Sequence, residues 1–329
     1  MSDKDYLLEV KNLKKYFPIK KGIFSRTAGY IKSVDDVSFN ISKGKIIGLV
    51  GESGCGKSTT GRTILNLLEP TGGLVKFEDK IIFDVENNIK ISREEMLRLR
   101  RDMQIIFQDP YASLDPRMNV GTILTEGLKK HNIAKGKEAL DKAKEILEMC
   151  GLDSSYITRY PHEFSGGQRQ RIGIGRALSL NPKFIVCDEP TAALDVSIQS
   201  QILNLMLDLK DKFNLTYLFI SHNLNVVRFF CDEIHVMYLG IIVEKGDSEE
   251  IYRNPQHPYT KALLSSIPVS HPSIKRDRIR LKGVVPSPAD IPSGCRFHTR
   301  CPYAMKLCSE QIPEYKEVGT EHFVACHLV

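Results

Sequence analysis

A glycine-rich segment followed by lysine and two hydroxyl residues is the part of this sequence best suited to chemistry. Residues 51–59 read GESGCGKST and match the pattern G-x-x-x-x-G-K-[ST], between a predicted buried strand and a predicted helix. Glycines let backbone N–H groups converge on phosphate oxygens, and the helix N-terminus adds a positive dipole end. Lys57 would reach the β- and γ-phosphates, and Ser58 would ligate Mg²⁺. The alternative is an ordinary glycine-rich turn. The predicted nucleotide-binding residues here are Gly51, Ser53, Gly54, Cys55, Gly56, Lys57, Ser58 and Thr59.

Two adjacent acids follow another apolar run. Phe184-Ile-Val-Cys precedes Asp188 and Glu189, which predicts a strand with both carboxyl groups at its tip. Asp188 could hold Mg²⁺ through its water shell, and Glu189 could act as the base for an attacking water. Two acids after a strand are more often a solvated turn, and it is the phosphate-binding loop elsewhere in the chain that favours the catalytic interpretation.

A second possible anion cradle opens a predicted helix that runs to about Leu180. Residues 164–171 read FSGGQRQR, so that a serine and two glycines stand at the helix start. A flexible helix cap would look the same. The two cradles lie more than a hundred residues apart in the chain, which suggests that the second one serves a partner subunit. The residues concerned are Ser165, Gly166, Gly167 and Gln168.

The elements that must position these residues alternate between strand and helix patterns over the first 240 residues, which is typical of an α/β fold with a largely parallel sheet. Strand signals vanish between about 109 and 180, where helical patterns predict an inserted helical subdomain. Prolines punctuate the chain after Gly246, so we expect domains at 1–245 and 246–329. Strands are predicted at 7–13, 34–41, 45–50, 74–84, 103–107, 184–187, 216–220 and 234–239, and helices at 57–68, 120–131, 136–150, 165–180 and 197–212.

Composition places the chain among globular proteins. Its 329 residues are 42% hydrophobic and 26% charged, a balance that argues against intrinsic disorder. No apolar run approaches the roughly 18–20 residues that cross a bilayer. The opening MSDKDY lacks the basic flank and apolar stretch of a signal peptide. We therefore expect a cytosolic protein, which would serve a membrane only as a peripheral subunit. The net charge of +6 is by itself weak evidence for nucleic-acid binding, which would also need a clustered basic patch.

The eight cysteines fall into two groups. Cys55, Cys150, Cys187 and Cys231 are scattered, and in a reducing compartment we expect them to be free thiols. Four more crowd into a proline-rich tail with little core of its own, where a structural metal could supply folding energy. The spacing lacks the C-x-x-C pairs of zinc ribbons, so zinc, an iron–sulfur cluster, free thiols and a disulfide stay open. These four are Cys295, Cys301, Cys308 and Cys326.

Taken together, these motifs resemble the ATP-binding-cassette (ABC) ATPases over about residues 7–245. FSGGQ is close to the family signature LSGGQ, with Phe164 in place of leucine, and Gly175 stands where alanine is usual. Further elements follow in family order. They are Gln108 of the Q-loop, Ala193-Leu194-Asp195 of the D-loop, the switch histidine His222, and Phe17 as the residue that stacks on adenine, with Tyr16 and Tyr30 as rivals because residues 18–31 form an insertion.

The resemblance implies a P-loop NTPase core with a parallel sheet, an antiparallel β subdomain and an inserted helical subdomain. It also implies a head-to-tail dimer with two ATP molecules at the interface, each closed between the phosphate-binding loop of one subunit and Ser165–Gly167 of the other. Glu189 would polarise the water, with His222 and Gln108 positioning water, γ-phosphate and Mg²⁺. Ser58, Gln108 and Asp188 would be the magnesium residues, and the presence of Glu189 and His222 predicts a competent site.

The tail resembles the C-terminal extension of oligopeptide and dipeptide importer ATPases. The resemblance is carried by NPQHPYTKALL at 254–264, IPSGC at 291–295 and YPHEFSGGQRQR at 160–171. It implies two membrane-spanning permease subunits, a second ATPase subunit (a paralogue in this subfamily) and an extracytoplasmic peptide-binding protein. Residues 109–130 would lie near the permeases at the cytoplasmic face of the membrane. Because members of this subfamily carry [4Fe–4S] in the tail, it favours that cluster over zinc.

Two other functions are compatible with the cassette. The first is the same transport role with nickel or another small solute as cargo. The second is a soluble ABC ATPase that acts on DNA or ribosomes. Such proteins usually show long coiled-coil insertions or tandem cassettes, and this sequence predicts neither.

Overall fold

A computed structural model describes residues 6–22, 26–267 and 278–329. Outside the described residues lie the first five residues, on which the interpretation of the N-terminus rests. Pro268 and Pro272 of the proline-rich tail also lie outside them. The strands are β1 Tyr6–Lys21, β2 Arg26–Ser42, β3 Ile46–Val50, β4 Gly72–Phe77, β5 Lys80–Asp84, β6 Ile89–Lys90, β7 Met103–Ile106, β8 Phe184–Asp188, β9 Thr216–Ser221, β10 Glu233–Tyr238, β11 Ile241–Asp247, β12 Tyr315–Gly319 and β13 His322–Ala325. The helices are α1 Lys57–Ile64, α2 Arg93–Asp102, α3 Pro110–Ser113, α4 Val120–Lys130, α5 Gly136–Met149, α6 Gly166–Leu178, α7 Val196–Phe213, α8 Leu224–Phe230, α9 Ser248–Arg253, α10 Pro258–Ser265 and α11 Lys306–Glu310.

The chain divides into two compact units. The first unit comprises Met1–Ser42, Ile46–Lys90 and Ser221–Val329. It contains an antiparallel sheet with strand order β2-β1-β4-β5-β6 and a second set of strands in the order β12-β13-β11-β10-β3, in which β10 and β3 are parallel. All five residues of β3 are buried, as expected for a strand covered on both faces.

The second unit comprises Lys43–Lys45 and Ile91–Ile220. Its parallel strands lie in the order β9-β8-β7, and residues 107–183 between β7 and β8 form helices α3 to α6 with two short 3₁₀ turns. The predicted antiparallel subdomain and helical insertion are therefore present in the structure.

Helices in the insertion begin and end close to the predicted positions because their signals are local. Asn119 caps α4 by accepting the Thr122 N–H at 2.8 Å, and the apolar face of α4 is buried. The glycine at position 175 has a packing reason. A Cβ there would lie 3.0 Å from Ile146 Cγ2, so the absence of a side chain lets α6 approach α5 closely.

The largest departure from expectation is the length of the first hairpin. The predicted strands at 7–13 and 34–41 are parts of β1 and β2, which pair antiparallel as far as Lys21 and Arg26. The described residues of the insertion, 18–22 and 26–31, thus extend the hairpin, with Pro18 opposite Tyr30. Cross-strand pairing depends on tertiary contacts, so a stretch that contains lysine and glycine gives no local signal for it.

Several elements have no counterpart in the sequence predictions. These are α2, α3, α8, β6, β11 and the elements of the tail, where β12 and β13 pair with each other and β13 pairs with β11. In the described residues no helix has the length and apolar character to span a bilayer.

Candidate nucleotide-binding site

The phosphate-binding loop lies in the first unit between β3 and α1, as the motif requires. Gly51, Gly54 and Gly56 have φ of +154°, +80° and +111°, conformations that favour glycine. A Cβ at Gly51 would lie 2.1 Å from the Met237 carbonyl oxygen, and a Cβ at Gly56 equally close to the Ser33 carbonyl oxygen. The glycines at 51 and 56 are therefore required by both torsion and space.

The lysine of the motif is folded onto its own loop. The Lys57 ammonium group donates hydrogen bonds to the carbonyl oxygens of Gly51 at 2.8 Å and Glu52 at 3.0 Å, and the residue is 4% exposed. It thus sits on the first turn of α1 with its charge held at the loop, where a phosphate can exchange for the carbonyl oxygens. Thr59, two residues on, accepts a hydrogen bond from Ser33 Oγ at 3.0 Å.

The aromatic candidates for adenine lie on the first hairpin in the same unit. The Tyr16 hydroxyl donates to Asp35, and the Phe17 ring lies 4.8 Å from the Lys15 ammonium. Although burial acts to raise it, the pKa of Asp35 is lowered by hydrogen bonds from Tyr16 and Arg296. The Tyr16 ring is therefore fixed at its hydroxyl by a carboxylate that stays ionised. Tyr30 is about half exposed.

The carboxylate tip of β8 lies in the second unit. Asp188 is the last residue of the strand and fully buried. Glu189 follows with φ of +46°, an uncommon conformation for a residue with a side chain and one that tends to be kept at functional sites. Its N–H donates to the Ile220 carbonyl at 3.0 Å, and its carboxylate accepts a hydrogen bond from Gln108 Nε2 at 3.0 Å. Two residues predicted to act on the same water thus lie in direct contact.

The signature segment begins α6 with a reciprocal cap. Gln168 N–H donates to Ser165 Oγ at 3.3 Å, and Ser165 N–H donates to Gln168 Oε1 at 3.0 Å. A Cβ at Gly167 would lie 2.6 Å from Ile198 Cγ2 of α7, so this glycine lets α7 approach the cradle. Asp195 is the residue before α7, and Gln199 Nε2 binds the Leu194 carbonyl at 2.9 Å. The signature and D-loop segments therefore pack together within the second unit.

The switch histidine is exposed and follows β9 directly. His222 lies in the first unit, one residue after Ser221, whose hydroxyl accepts the Asn223 N–H at 3.0 Å ahead of α8. The predicted site residues are thus divided between the units, with the phosphate-binding loop, the aromatic candidates and His222 in the first. The second holds Gln108, Asp188, Glu189, the signature and Asp195.

Residues of the tail reach the phosphate-binding loop, which the sequence did not predict. The Glu52 N–H donates to the Tyr259 hydroxyl at 2.9 Å, and the Arg300 guanidinium binds both oxygens of the Glu52 carboxylate at 2.6 and 3.0 Å. A sequence separation of 248 residues carries no local signal for that pair.

The cap of α10 places Tyr259. His257 precedes the helix, is 1% exposed, and accepts the Tyr259 N–H at Nδ1 over 3.0 Å. Its own N–H donates to the buried Glu244 carboxylate at 3.0 Å. Burial lowers the pKa of His257 to about 4, with Glu244 opposing and Lys261 adding to the effect. The cap therefore depends on a neutral imidazole.

All eight cysteines lie within the described residues, where each is a free thiol. Burial raises the pKa of Cys295 to about 11, opposed by the Phe297 N–H and reinforced by nearby Cys308, Cys326 and Cys301. The four tail thiols thus lie within electrostatic range of one another. Among the residues described, however, no group of three or more His, Cys, Asp or Glu is arranged to hold a metal ion. The structure therefore does not support the predicted cluster.

Comparisons with known proteins identify the family of the chain. The chain matches the family model "ABC transporter" at residues 34–192 and "Oligopeptide/dipeptide transporter, C-terminal region" at 243–308. It is 53% identical to the oligopeptide transport ATP-binding protein AppF of Bacillus subtilis over 99% of this chain and 98% of the relative. It is 47% identical to the dipeptide transport ATP-binding protein DppF of Haemophilus influenzae over 97% of this chain and 96% of the relative.

Among solved structures, the ATP-binding cassette MJ0796, a dimer in a post-hydrolysis state bound to ADP and Pi, matches with a TM-score of 0.63. The two chains are 29% identical, and the match covers 73% of this chain and 98% of that one. By its motifs, fold and full-length relatives, the chain belongs to the ABC transporter ATP-binding proteins of the oligopeptide/dipeptide type.

Proposed function

We propose that this chain is the ATP-hydrolysing subunit that energises the import of oligopeptides or dipeptides through an ABC transporter. The observation that carries the proposal is the length of chain over which peptide-transport proteins match it. Relatives named for peptide transport match through the tail as well as the cassette, over 97–99% of the chain. The tail match makes peptides better supported than nickel as cargo, and a full-length match to transport proteins weighs against a non-transport role.

The predicted residues of the two units would each supply a part of ATP hydrolysis. Lys57 and the N–H groups of the glycine-rich loop bind the phosphates, Ser58, Gln108 and Asp188 serve Mg²⁺, and Phe17 or Tyr16 stacks on adenine. Glu189 takes the proton of the attacking water. The contact between Glu189 and Gln108 supports this role, because the amide orients the carboxylate without neutralising it.

The second anion cradle supports a composite site. Ser165, Gly166 and Gly167 present a capped helix N-terminus for the γ-phosphate bound by a second ATPase subunit, and the D-loop residue Asp195 lies beside that contact. We place His222 at the γ-phosphate of the nucleotide held by its own chain. Two cassettes would thus close head to tail on two ATP molecules.

Residues 109–130 are proposed as the permease-facing segment. Asp109 caps α3 and leaves the Tyr111 ring 62% exposed, with the Arg169 guanidinium 3.8 Å from the ring centroid. An exposed aromatic residue three positions after the Q-loop glutamine suits contact with a membrane-spanning subunit at the cytoplasmic face. The remaining partners would be a second permease subunit and an extracytoplasmic peptide-binding protein.

The experiment that tests the function is uptake by the reconstituted complex. The chain is co-expressed with its permease and ATPase subunits, the complex is placed in vesicles that contain ATP, and the peptide-binding protein is added outside. We expect ATP-dependent accumulation of a labelled peptide and none of ⁶³Ni²⁺. Nickel uptake without peptide uptake would transfer the proposal to the alternative cargo, and failure to assemble with any permease would contradict a transport role.

We further propose that Cys295, Cys301, Cys308 and Cys326 hold a [4Fe–4S] cluster that is structural for the extension at 246–329. Two observations support this donor set. The thiols lie within electrostatic range of one another, and backbone N–H groups two residues later in the chain hydrogen-bond to three of the sulfurs (Phe297 to Cys295, Tyr303 to Cys301 and Leu328 to Cys326). Such N–H groups stabilise thiolates, and a four-iron cluster tolerates wider ligand separation than a single zinc ion does.

Metal analysis of the full chain purified without oxygen tests the cluster. We expect about four iron and four sulfide per chain and their loss in Cys301→Ser, with Cys231→Ser as the matched control that retains them. Zinc at one per chain would replace the iron–sulfur assignment by zinc. Metal-free protein with four titratable tail thiols would contradict both.

A further inference from the structure

The tail reaches the nucleotide site through two arginines that flank two of its cysteines. Arg296 follows Cys295, and Arg300 precedes Cys301. Backbone hydrogen bonds from Arg300 N and Cys301 N to the Phe297 carbonyl at 2.9 and 3.0 Å hold this stretch in a tight turn, which gives both arginines a fixed base.

Arg300 contacts the phosphate-binding loop at Glu52. The exposed fraction of its side chain is 8% and that of Glu52 is 28%, so the bidentate pair is largely withdrawn from water. Glu52 is then fixed at three polar groups. Its carboxylate binds Arg300, its N–H binds the Tyr259 hydroxyl, and its carbonyl accepts the Lys57 ammonium at 3.0 Å.

Arg296 supports the other end of the same loop. It donates to the Leu239 carbonyl and to Asp35, the carboxylate that also accepts the Tyr16 hydroxyl. The Asp35 N–H donates to the Gly240 carbonyl at 2.8 Å, and the Gly240 N–H donates to the Cys55 carbonyl at 2.9 Å. The second arginine therefore braces the loop at Cys55 and, through Asp35, the aromatic candidate for adenine.

We infer that Arg300, acting through Glu52, is a positioning residue for nucleotide binding, so that the C-terminal extension is a working part of the nucleotide site. The physical reason is preorganisation. A loop with three glycines at positive φ has much conformational freedom to lose, and ordering it before the nucleotide arrives removes that cost from binding. Arg300 touches no predicted phosphate ligand and acts on Lys57 through the Glu52 backbone.

The effect is separable from catalysis. The residues proposed to act on the water, Glu189 and Gln108, belong to the other unit. The hydrogen bonds of Arg300 described here do not involve them. Loss of the pair should therefore raise the dissociation constant and KM for nucleotide while leaving kcat at saturating ATP nearly unchanged.

The test is a double-mutant cycle on the full chain, and it rests on the proposed nucleotide binding. Dissociation constants for MgADP and MgATP are measured by calorimetry for wild type, Arg300→Gln, Glu52→Gln and the double variant. We expect about a tenfold increase for each single variant and no further increase for the double. Arg253→Gln is the matched control, because that arginine is exposed and pairs with Glu249 in the same part of the chain.

The possible outcomes distinguish failure of the proposed function from failure of the positioning role. A wild-type chain that binds no nucleotide would contradict the proposed function itself. If wild type binds nucleotide, two results would overturn the positioning role. One is a folded Arg300→Gln variant with unchanged affinity, and the other is a double variant in which the two single effects are fully additive. If Arg300→Gln does not fold, Glu52→Gln removes the same ion pair from the other side and is expected to weaken binding by a similar factor, and unchanged affinity there would equally overturn the positioning role.

Discussion

Replacement of Glu189 by glutamine is expected to stop ATP turnover while ATP remains bound. The amide has the size of the carboxylate, and its oxygen can still accept the Gln108 hydrogen bond seen at 3.0 Å. It cannot take the proton of an attacking water, and loss of a positioned general base costs about 10²- to 10⁴-fold in rate. Hydrolysis by the assembled complex should fall by that factor, whereas the dissociation constant for MgATP should stay close to that of wild type.

The same variant tests the composite site. If the signature of a second subunit closes on the bound γ-phosphate, Glu189→Gln should trap a pair of cassettes that scattering or crosslinking detects only with MgATP. Glu94→Gln is the matched control, because Glu94 is exposed on α2 and pairs only with Arg98 among the contacts found there. Hydrolysis at the wild-type rate would remove Glu189 from the base role. Lost turnover without ATP-dependent pairing would contradict the head-to-tail arrangement.

The parts of this site that sequence alone could predict are those carried by short motifs. A phosphate-binding loop needs glycines and a lysine at fixed spacing, so GESGCGKST predicted both the chemistry and the strand and helix on either side. Gln108 was assigned only through its resemblance to the family, and its hydrogen bond to Glu189 was not predicted. The positive φ of Glu189 has no sequence signal, since glutamate has no preference for that conformation.

Elements with a strong local signal were also predictable. Helices α4 and α5 were expected at 120–131 and 136–150 and are found at Val120–Lys130 and Gly136–Met149. The missed helix α2 had a usable signal, because Ser92 and Glu95 form the serine-x-x-glutamate start and Ser92 accepts the Glu95 N–H at 3.2 Å. Its highly charged sequence offers only Met96 and Leu99 to the core, so an apolar periodicity was hard to see.

Contacts made at long range were out of reach. Arg296 and Asp35 are 261 residues apart, and a chain with 46 basic and 40 acidic residues offers far too many possible pairs for composition to select one. The prolines of the tail predicted only short elements of unspecified type, and strands β12 and β13 form because β11 supplies an edge for pairing. Tertiary context decides such short strands.

Acid is expected to destabilise the tail through His257. Because its folded pKa of about 4 lies below the ordinary value near 6.5, the unfolded chain binds a proton more readily between these values. The free energy of unfolding must therefore fall as the pH drops through this window. The full contribution is about 3 kcal/mol, of which about 2 kcal/mol is lost by pH 5. Protonation at Nδ1 removes the acceptor for the Tyr259 N–H and places a charge in a site with 1% exposure.

His257→Asn separates this group from the many others that titrate. An asparagine oxygen can accept the same Tyr259 N–H as a helix cap, and it has no proton to gain. Urea unfolding at pH 7.5 and pH 5.0 should show wild type losing about 2 kcal/mol more than the variant over that interval. Equal losses would show that His257 does not control the acid response. Since Tyr259 also binds the Glu52 N–H, nucleotide affinity in wild type should weaken in the same pH range, and His257→Asn should reduce that weakening.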